Sequence, residues 1–426
     1  MDARLAHCLA RALAAGTGLP GPAQAIDGYR LRHAGRDLID FHSAEGKLNY
    51  GHANPMLLAC VDGRLAHRGL PLGHVHHQDL VHDFFDLFDR TLLRPRGWRM
   101  RMQLAGPGGQ HALELALQHA RRATGRRDVI AFGSRLQDVS KGWVSGMVTD
   151  CLARVAGGAQ PASVHFMPYD QCLGPDIDTI ALVEQCLQRL RRSARGLPAA
   201  MVVETILAQG GMNVLSWRWL RELAALCRRH GILLIMDETR VGCGRSGYFF
   251  SFEASGVRPD IVVLSQALSG LGLPLSLLLS DPALALPRHD QLASVSWPGT
   301  PDAALALLGA RHALELFWRD EQLTTQVRRK EALLRDWLDN MVHSFPGHGL
   351  GVRGRGLVQA LDISGCPQLA GRLIQEARSQ GLLLHAAGER DQVVKIMPAL
   401  TIPDPLLLQG MEIFEASLAR VLGWSD

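Results

Sequence analysis

Residues 231–268 read GILLIMDETRVGCGRSGYFFSFEASGVRPDIVVLSQAL, and two short apolar runs frame them. Ile232–Met236 and Ile261–Leu264 are nearly uninterrupted, the pattern of central parallel strands covered on both faces. Each run ends in polar residues, Asp237-Glu238 after the first and Ser265-Gln266 after the second. Ligands of open α/β sheets sit beyond the carboxyl ends of such strands. The two runs are therefore predicted to form two walls of one site.

Strand and helix signals alternate around this stretch, from about residue 66 to about residue 300. Predicted strands are Met102–Ala105, Val129–Phe132, Val164–Met167, Met201–Ile206, Ile232–Met236, Ile261–Leu264 and Leu275–Ser280. Helical patterns lie between them at His111–Thr124, Ile177–Arg192 and Trp217–His230. Such alternation predicts an α/β fold with a mostly parallel seven-stranded sheet and helices on both faces. Before it come an amphipathic helix over residues 1–15, a Gly/Pro-rich connection and a small antiparallel unit around Tyr29–Phe41. After it come a long helix pair (about 302–342), strands around Val352–Asp362 and Leu382–Met397, and a closing helix after Pro405. The expected division is residues 66–304 as a large α/β domain. Residues 1–65 and 305–426 then form a smaller α+β domain.

The chain has 426 residues, 47% hydrophobic and 20% charged, with a formal net charge of +4. These values describe an ordinary globular protein. The arginines are dispersed, without the concentrated basic stripe that nucleic-acid binding requires. No 18-residue apolar run occurs, and Leu271–Leu279 is too short to span a bilayer, so no membrane role is expected. The N-terminus lacks a basic region followed by an apolar core, and the eight scattered cysteines form no CxxC pair. The reading is a cytoplasmic protein with reduced thiols.

Three further segments carry specific patterns: DFHSAEGKLNYGHANP at 40–55, VRGRGLVQALDI at 352–363 and VVKIMPALTIPD at 393–404. Together with residues 231–268 they resemble the class III aminotransferases, pyridoxal-phosphate (PLP) enzymes of fold type I. Within that family the chain is most similar to the diaminobutyrate–2-oxoglutarate transaminases of ectoine biosynthesis. The resemblance covers nearly the whole chain. It implies a fold type I PLP-transferase and a homodimer with paired sites at its interface.

The resemblance also assigns roles. Asp237 matches the aspartate that pairs with the pyridine nitrogen of PLP. A protonated ring nitrogen makes the cofactor an electron sink. Gly106-Pro107-Gly108-Gly109 leads from a strand into a helix, where backbone N–H groups cradle phosphate. Gln110 stands where the family has Ser or Thr. Ser296 matches the threonine that reaches the phosphate from the partner subunit, and Gly299 also fits. Glu204 and Ser265, at the ends of their strands, are further candidate cofactor-binding residues. Other matches fail. The family's Schiff-base lysine follows Leu-Ser, and here Leu264-Ser265 is followed by Gln266. An amide nitrogen is neither nucleophilic nor basic, so Gln266 supplies no Schiff base and no proton shuttle. The aromatic stacking segment is replaced by Leu136-Gln137-Asp138, and Gln-Gly-Glu-Gly-Gly by residues 207–211, Leu-Ala-Gln-Gly-Gly. Arg240 stands where a glutamine is usual.

Plainer readings sit beside these. A tight turn explains the glycines equally well, and a strand-end aspartate such as Asp237 can simply position a loop. Only four lysines occur, Lys47, Lys141, Lys330 and Lys395. Lys47 and Lys141 are candidates to reach a ligand, against the ordinary reading of solvated lysines. Histidine is the base in lysine-free dehydratases of this fold that work through pyridoxamine phosphate (PMP), and His111 is the candidate here. The cluster His74-Val75-His76-His77, read as extended, would put His74 and His76 on one face. With no carboxylate or cysteine at ligand spacing, no metal site is assigned to it.

Three functions stay open at the level of sequence. One is a class III aminotransferase homologue with a degenerate PLP site, unable to transaminate, which binds a ligand or acts structurally, alone or beside an active paralogue. Another is a lysine-independent enzyme. It would bind PLP, PMP or a preformed aldimine non-covalently, or use a remodelled pocket on an amino-acid-like substrate. The third is a working transaminase with a substitute base.

Overall fold

A computed structural model describes residues 19, 23–68, 74–133, 164–284, 300–366 and 368–423. The fold follows from seven short strands: β1 (Arg101–Leu104), β2 (Val129–Gly133), β3 (Val164–Pro168), β4 (Ala200–Val203), β5 (Leu233–Glu238), β6 (Ile261–Leu264) and β7 (Leu277–Ser280). They form one sheet in the order β1-β7-β6-β5-β4-β2-β3. Every neighbour pair from β6 to β3 is parallel, and β7 runs antiparallel to both β6 and β1. The residues of β4, β6 and β7 are buried throughout. That is why their sequences are continuous apolar runs and not alternating ones.

Two of the helices that cover the sheet start where a short polar side chain caps them. Asp178 accepts from the Ala181 N–H at 3.0 Å to begin the helix Thr179–Arg192. Ser216 accepts from the Trp219 N–H at 3.2 Å to begin Trp217–His230, which stops at Gly231 with φ 57°. These are the usual solutions for orphan N–H groups and for a left-handed exit. The helix α1 (Gly109–Thr124) is different: its N-cap is Gly108, which brings no side chain to cap it. The helix α2 (Pro301–Phe317) is buried over most of its circumference and lies against the turn that follows β6.

The second sheet is built from β8 (Gly351–Arg355), β9 (Val358–Asp362), β10 (His385–Ala387) and β11 (Val393–Ile396), in the order β8-β9-β11-β10. A third sheet pairs Ala23–Ala25, Arg30–His33 and Arg36–Asp40 with Leu382–Leu383, so segments from both ends of the chain meet in it.

Several expectations change, and the strand read as Ile232–Met236 is one: it runs from Leu233 to Glu238, so Asp237 and Glu238 belong to the strand itself. The run Met201–Ile206 is not one strand: β4 ends at Val203, and Ile206–Leu207 turns away to pair with Asn213–Val214. Apolar character persists past the sheet because both pieces are buried. Residues His74–His77 are not extended. They begin the helix His74–Phe88, whose 3.6-residue period replaces the alternation assumed for them. The strand read as Leu275–Ser280 begins at Leu277. The amphipathic pattern over residues 1–15 lies outside the described residues.

Candidate functional site

β5 and β6 run side by side with Asp237 opposite Val263 and Glu238 opposite Leu264. The polar ends Asp237-Glu238 and Ser265-Gln266 thus emerge together at one sheet edge. Gly109, at the start of α1, packs onto the same edge. A Cβ there would lie 2.9 Å from Thr239 Cγ2 and 3.5 Å from Ser265 Cβ, so only glycine permits the approach. The glycine-capped N-terminus of α1 is in this way brought to the ends of β5 and β6, and its backbone N–H groups and dipole favour an anion.

Asp237 is 1% exposed, and its Oδ1 accepts the Thr239 N–H at 3.0 Å. Burial pushes its pKa up, while Thr239 and the Arg240 charge hold it down. Glu204 and Glu238 lie with it and are also buried. Burial, then the neighbouring Asp237 charge, lifts Glu204 to about 8. Burial likewise raises Glu238 to about 8, against the N–H and hydroxyl of Ser251, both of which donate to it. Three acids sharing one buried edge cannot all ionise cheaply, so charge concentrates on the one with the best donors. A protonated heterocyclic nitrogen beside Asp237 would supply the counter-ion that burial denies it.

Gln266 begins the turn Gln266–Ser269 in the left-handed region, with φ 48°. Its Oε1 is buried and accepts no hydrogen bond. An unmet buried acceptor costs about 1–3 kcal/mol, which a donor on a ligand would recover. Ser265 Oγ is engaged elsewhere, with the Ser276 hydroxyl at 2.8 Å and the Leu275 carbonyl at 3.2 Å. It therefore helps fix the turn.

A second layer comes from the segment 40–55. Ser43, Ala44, Glu45 and Gly46 all have positive φ (47°, 51°, 61° and 81°). For the three non-glycine residues this costs of order 1–2 kcal/mol each. Asp40 holds the turn by accepting the N–H groups of His42 and Ser43, both at 2.8 Å, and it pairs with His52 at 2.6 Å. Burial would raise the Asp40 carboxyl, but the His52 bond and charge outweigh it and hold the group near 2. The turn delivers Glu45 to Gln209, whose Nε2 donates at 3.0 Å, and to Arg240 and Lys395, each 3.9 Å away. Burial lowers the Lys395 pKa, with the Glu45 charge opposing it.

The structure thus brings together Asp237, Glu204, Gly108, Gly109, Gln110, Ser265 and Gln266. It places His111 on the exposed side of the first turn of α1, and Lys47 half-buried beside Glu45. Leu136, Gln137, Asp138, Lys141, Ser296 and Gly299 lie outside the described residues. Among the described residues, no three His, Cys, Asp or Glu side chains are grouped to hold a metal ion. Sequence does not single out Glu45. Nothing in Ser-Ala-Glu signals three consecutive left-handed residues; only Gly46 hints at a turn.

The mixed seven-stranded sheet, with a glycine-led helix start and a buried aspartate at its carboxyl edge, is the architecture of a PLP-fold transferase. The chain belongs to the class-III aminotransferases, whose family profile matches residues 24–418. A diaminobutyrate–2-oxoglutarate transaminase from Bordetella parapertussis is 42% identical over 408 residues, covering 94% of this chain and 90% of the relative. Another, from Wolinella succinogenes, is 36% identical over 395 residues, covering 92% and 90%. The crystal structure of a Bacillus anthracis aminotransferase superposes with a TM-score of 0.76 at 17% identity, covering 99% of this chain and all of that one. That likeness shows the fold.

Proposed function

We propose that this chain is a diaminobutyrate transaminase-like protein with a degenerate PLP site, one that binds its ligand without a covalent bond and does not transaminate. The observation that carries the reading is Gln266, an amide at the strand end where the family places its lysine. PLP, when bound, supplies an electron sink conjugated to a substrate nitrogen. The residues here suit two ends of such a group. The glycine-capped start of α1 at Gly108–Gln110 would hold the phosphate, and buried Asp237 the ring nitrogen. They do not suit the third end, where Gln266 offers a hydrogen-bond acceptor and no amine. PMP, which carries its own amine, matches an unmet buried acceptor better than an aldehyde does.

The fold and its shell segments match the family while its motif residues differ at Gln266, Gln209 and Arg240, and, in the sequence, at Leu136–Asp138. This supports a pocket kept for binding an amino-acid-like ligand, within the homodimer common to the family. The test is equilibrium binding of PMP to the full chain and to Asp237→Asn. Loss of the buried counter-ion should weaken PMP at least roughly tenfold, or about 1.4 kcal/mol. Unchanged PMP affinity would refute a cofactor role for this edge and leave a structural one.

A further inference from the structure

β2, β4, β5 and β6 run parallel, so their starts lie along one edge of the large sheet, opposite the edge that carries Asp237 and Gln266. The helices α1, Thr179–Arg192 and Trp217–His230 end at that edge, because each leads back into β2, β4 or β5. Arginines dispersed along the chain are gathered by this topology. Four of the chain's five Arg-Arg pairs fall at these helix ends or just beyond: Arg121-Arg122, Arg126-Arg127, Arg191-Arg192 and Arg228-Arg229. The fifth, Arg328-Arg329, lies on the helix Gln322–Ser344.

Hydrogen bonds tie the ends into one rim. Arg126 donates to the carbonyls of Pro198 at 3.2 Å, His230 at 3.2 Å and Gly231 at 2.8 Å. Arg195 donates to Asp128 at 3.2 Å, which also pairs with His165 at 2.9 Å, and Arg229 pairs with Glu184 at 3.4 Å. Asp260 and Asp281 meet at the same edge through a backbone bond of 2.8 Å. The four pairs and Arg195 set nine arginines against these four acids, an excess of five where the whole chain carries +4. The cations crowd one another: burial, then the Arg127 charge, lowers the Arg121 pKa. A cation in the last turn of a helix answers the helix dipole. That duty calls for one per helix and not for pairs, and it does not reach Arg126-Arg127, which follow the end of α1.

β2 lies beside β4 and β4 beside β5, with about 4.8 Å between neighbouring strands. The cations in the loops before them therefore stand in a row, which suits a chain of anions better than a single one. Arg122, Arg127, Arg191, Arg192 and Arg228 are exposed. Among the described residues, no large exposed hydrophobic side chain lies in these helix ends or loops. A protein partner needs apolar anchors at the centre of its contact, and a lipid surface needs apolar side chains to insert. The same segments hold no Phe, Tyr or Trp, so unpaired bases would find no stacking platform. A duplex backbone needs only guanidinium forks that neutralise its phosphates. We propose that this rim binds the phosphate backbone of a duplex nucleic acid without reading its sequence. The site is separate from the Asp237–Gln266 edge and does not rest on the function proposed above.

The test is fluorescence anisotropy of a labelled DNA duplex of roughly 20 base pairs with the full chain, from about 50 to about 200 mM salt. Wild type should bind with a Kd on the order of micromolar at the lowest salt and weaken steeply as salt rises. Arg191→Gln/Arg192→Gln should lose at least about tenfold and flatten the log–log salt slope by about 2. Arg122→Gln/Arg228→Gln, from the other two helices, should do the same. Arg328→Gln/Arg329→Gln removes equal charge from another helix and should change neither quantity. All six side chains are exposed, so the variants should melt as wild type does. Equal losses in all three double variants would show attraction to net charge alone and overturn the rim. Absence of duplex binding at the lowest salt would also overturn it. Polyglutamate or anionic vesicles that displace the duplex as well as unlabelled duplex does would assign the rim to an acidic protein or a membrane instead.

Discussion

Glu238 gives the residue scale a sharp pH signature. In the folded protein it keeps its proton to about 8, whereas an ordinary glutamate loses it near 4.5. A raised folded pKa means the folded state binds the proton more tightly. The associated stability is full below about 4.5 and is lost as pH rises towards 8, at up to roughly 1.4 kcal/mol per pH unit. Glu238→Gln mimics the protonated acid and still accepts from the Ser251 N–H. Its melting temperature should therefore fall less than that of wild type across this window. An equal fall in both proteins would show that Glu238 ionises freely when folded.

At the scale of elements, the turn bearing Gln266 is set by α2. Gly309 lies so close to it that a Cβ would sit 2.5 Å from the Ser269 carbonyl and 2.9 Å from Leu271 Cδ1. Backbone cannot yield as a side-chain tip does. Gly309→Ala should cost about 1–3 kcal/mol in denaturant unfolding and weaken PMP binding through the displaced turn. A variant as stable as wild type would mean the helix and turn are not in register as described. Much of this level is legible in the sequence. Ile261–Leu264 reads correctly to the residue, because a central strand must be apolar on both faces and ends where polar residues begin. Met201–Ile206 reads too long because burial continues after the strand leaves the sheet, and hydropathy reports burial and not pairing. The Asp237–Gln266 edge is legible from strand ends alone. The Glu45–Arg240–Lys395 group is not, since it joins residues 45, 240 and 395 through tertiary contacts and a backbone conformation with no residue-type signature.

Across the whole molecule, the loop after β5 ties the large sheet to the smaller one through Arg245. This fully buried guanidinium donates to the Leu357 carbonyl at 2.7 Å and the Pro398 carbonyl at 2.9 Å. Burial lowers its pKa to about 9, with Asp40 the opposing charge. Two charge-assisted bonds at about 1.5–3 kcal/mol each make Arg245→Leu a loss of roughly 3 kcal/mol or more. Calorimetry should show the transition moving to lower temperature and broadening as the sheets uncouple. A single transition at the wild-type temperature would count against that tie.

On the proposed non-covalent reading, no lysine of this chain forms a Schiff base in place of residue 266. Lys395 is the critical control, because it is buried near the site and burial lowers its pKa. The decisive measurement is incubation of the purified chain with PLP, borohydride reduction, and peptide mass spectrometry. The expected result is saturable absorbance changes with no PLP-sized mass added to any lysine. Stoichiometric labelling of Lys395, Lys47 or another lysine, reversed by an amino donor before reduction, would contradict it.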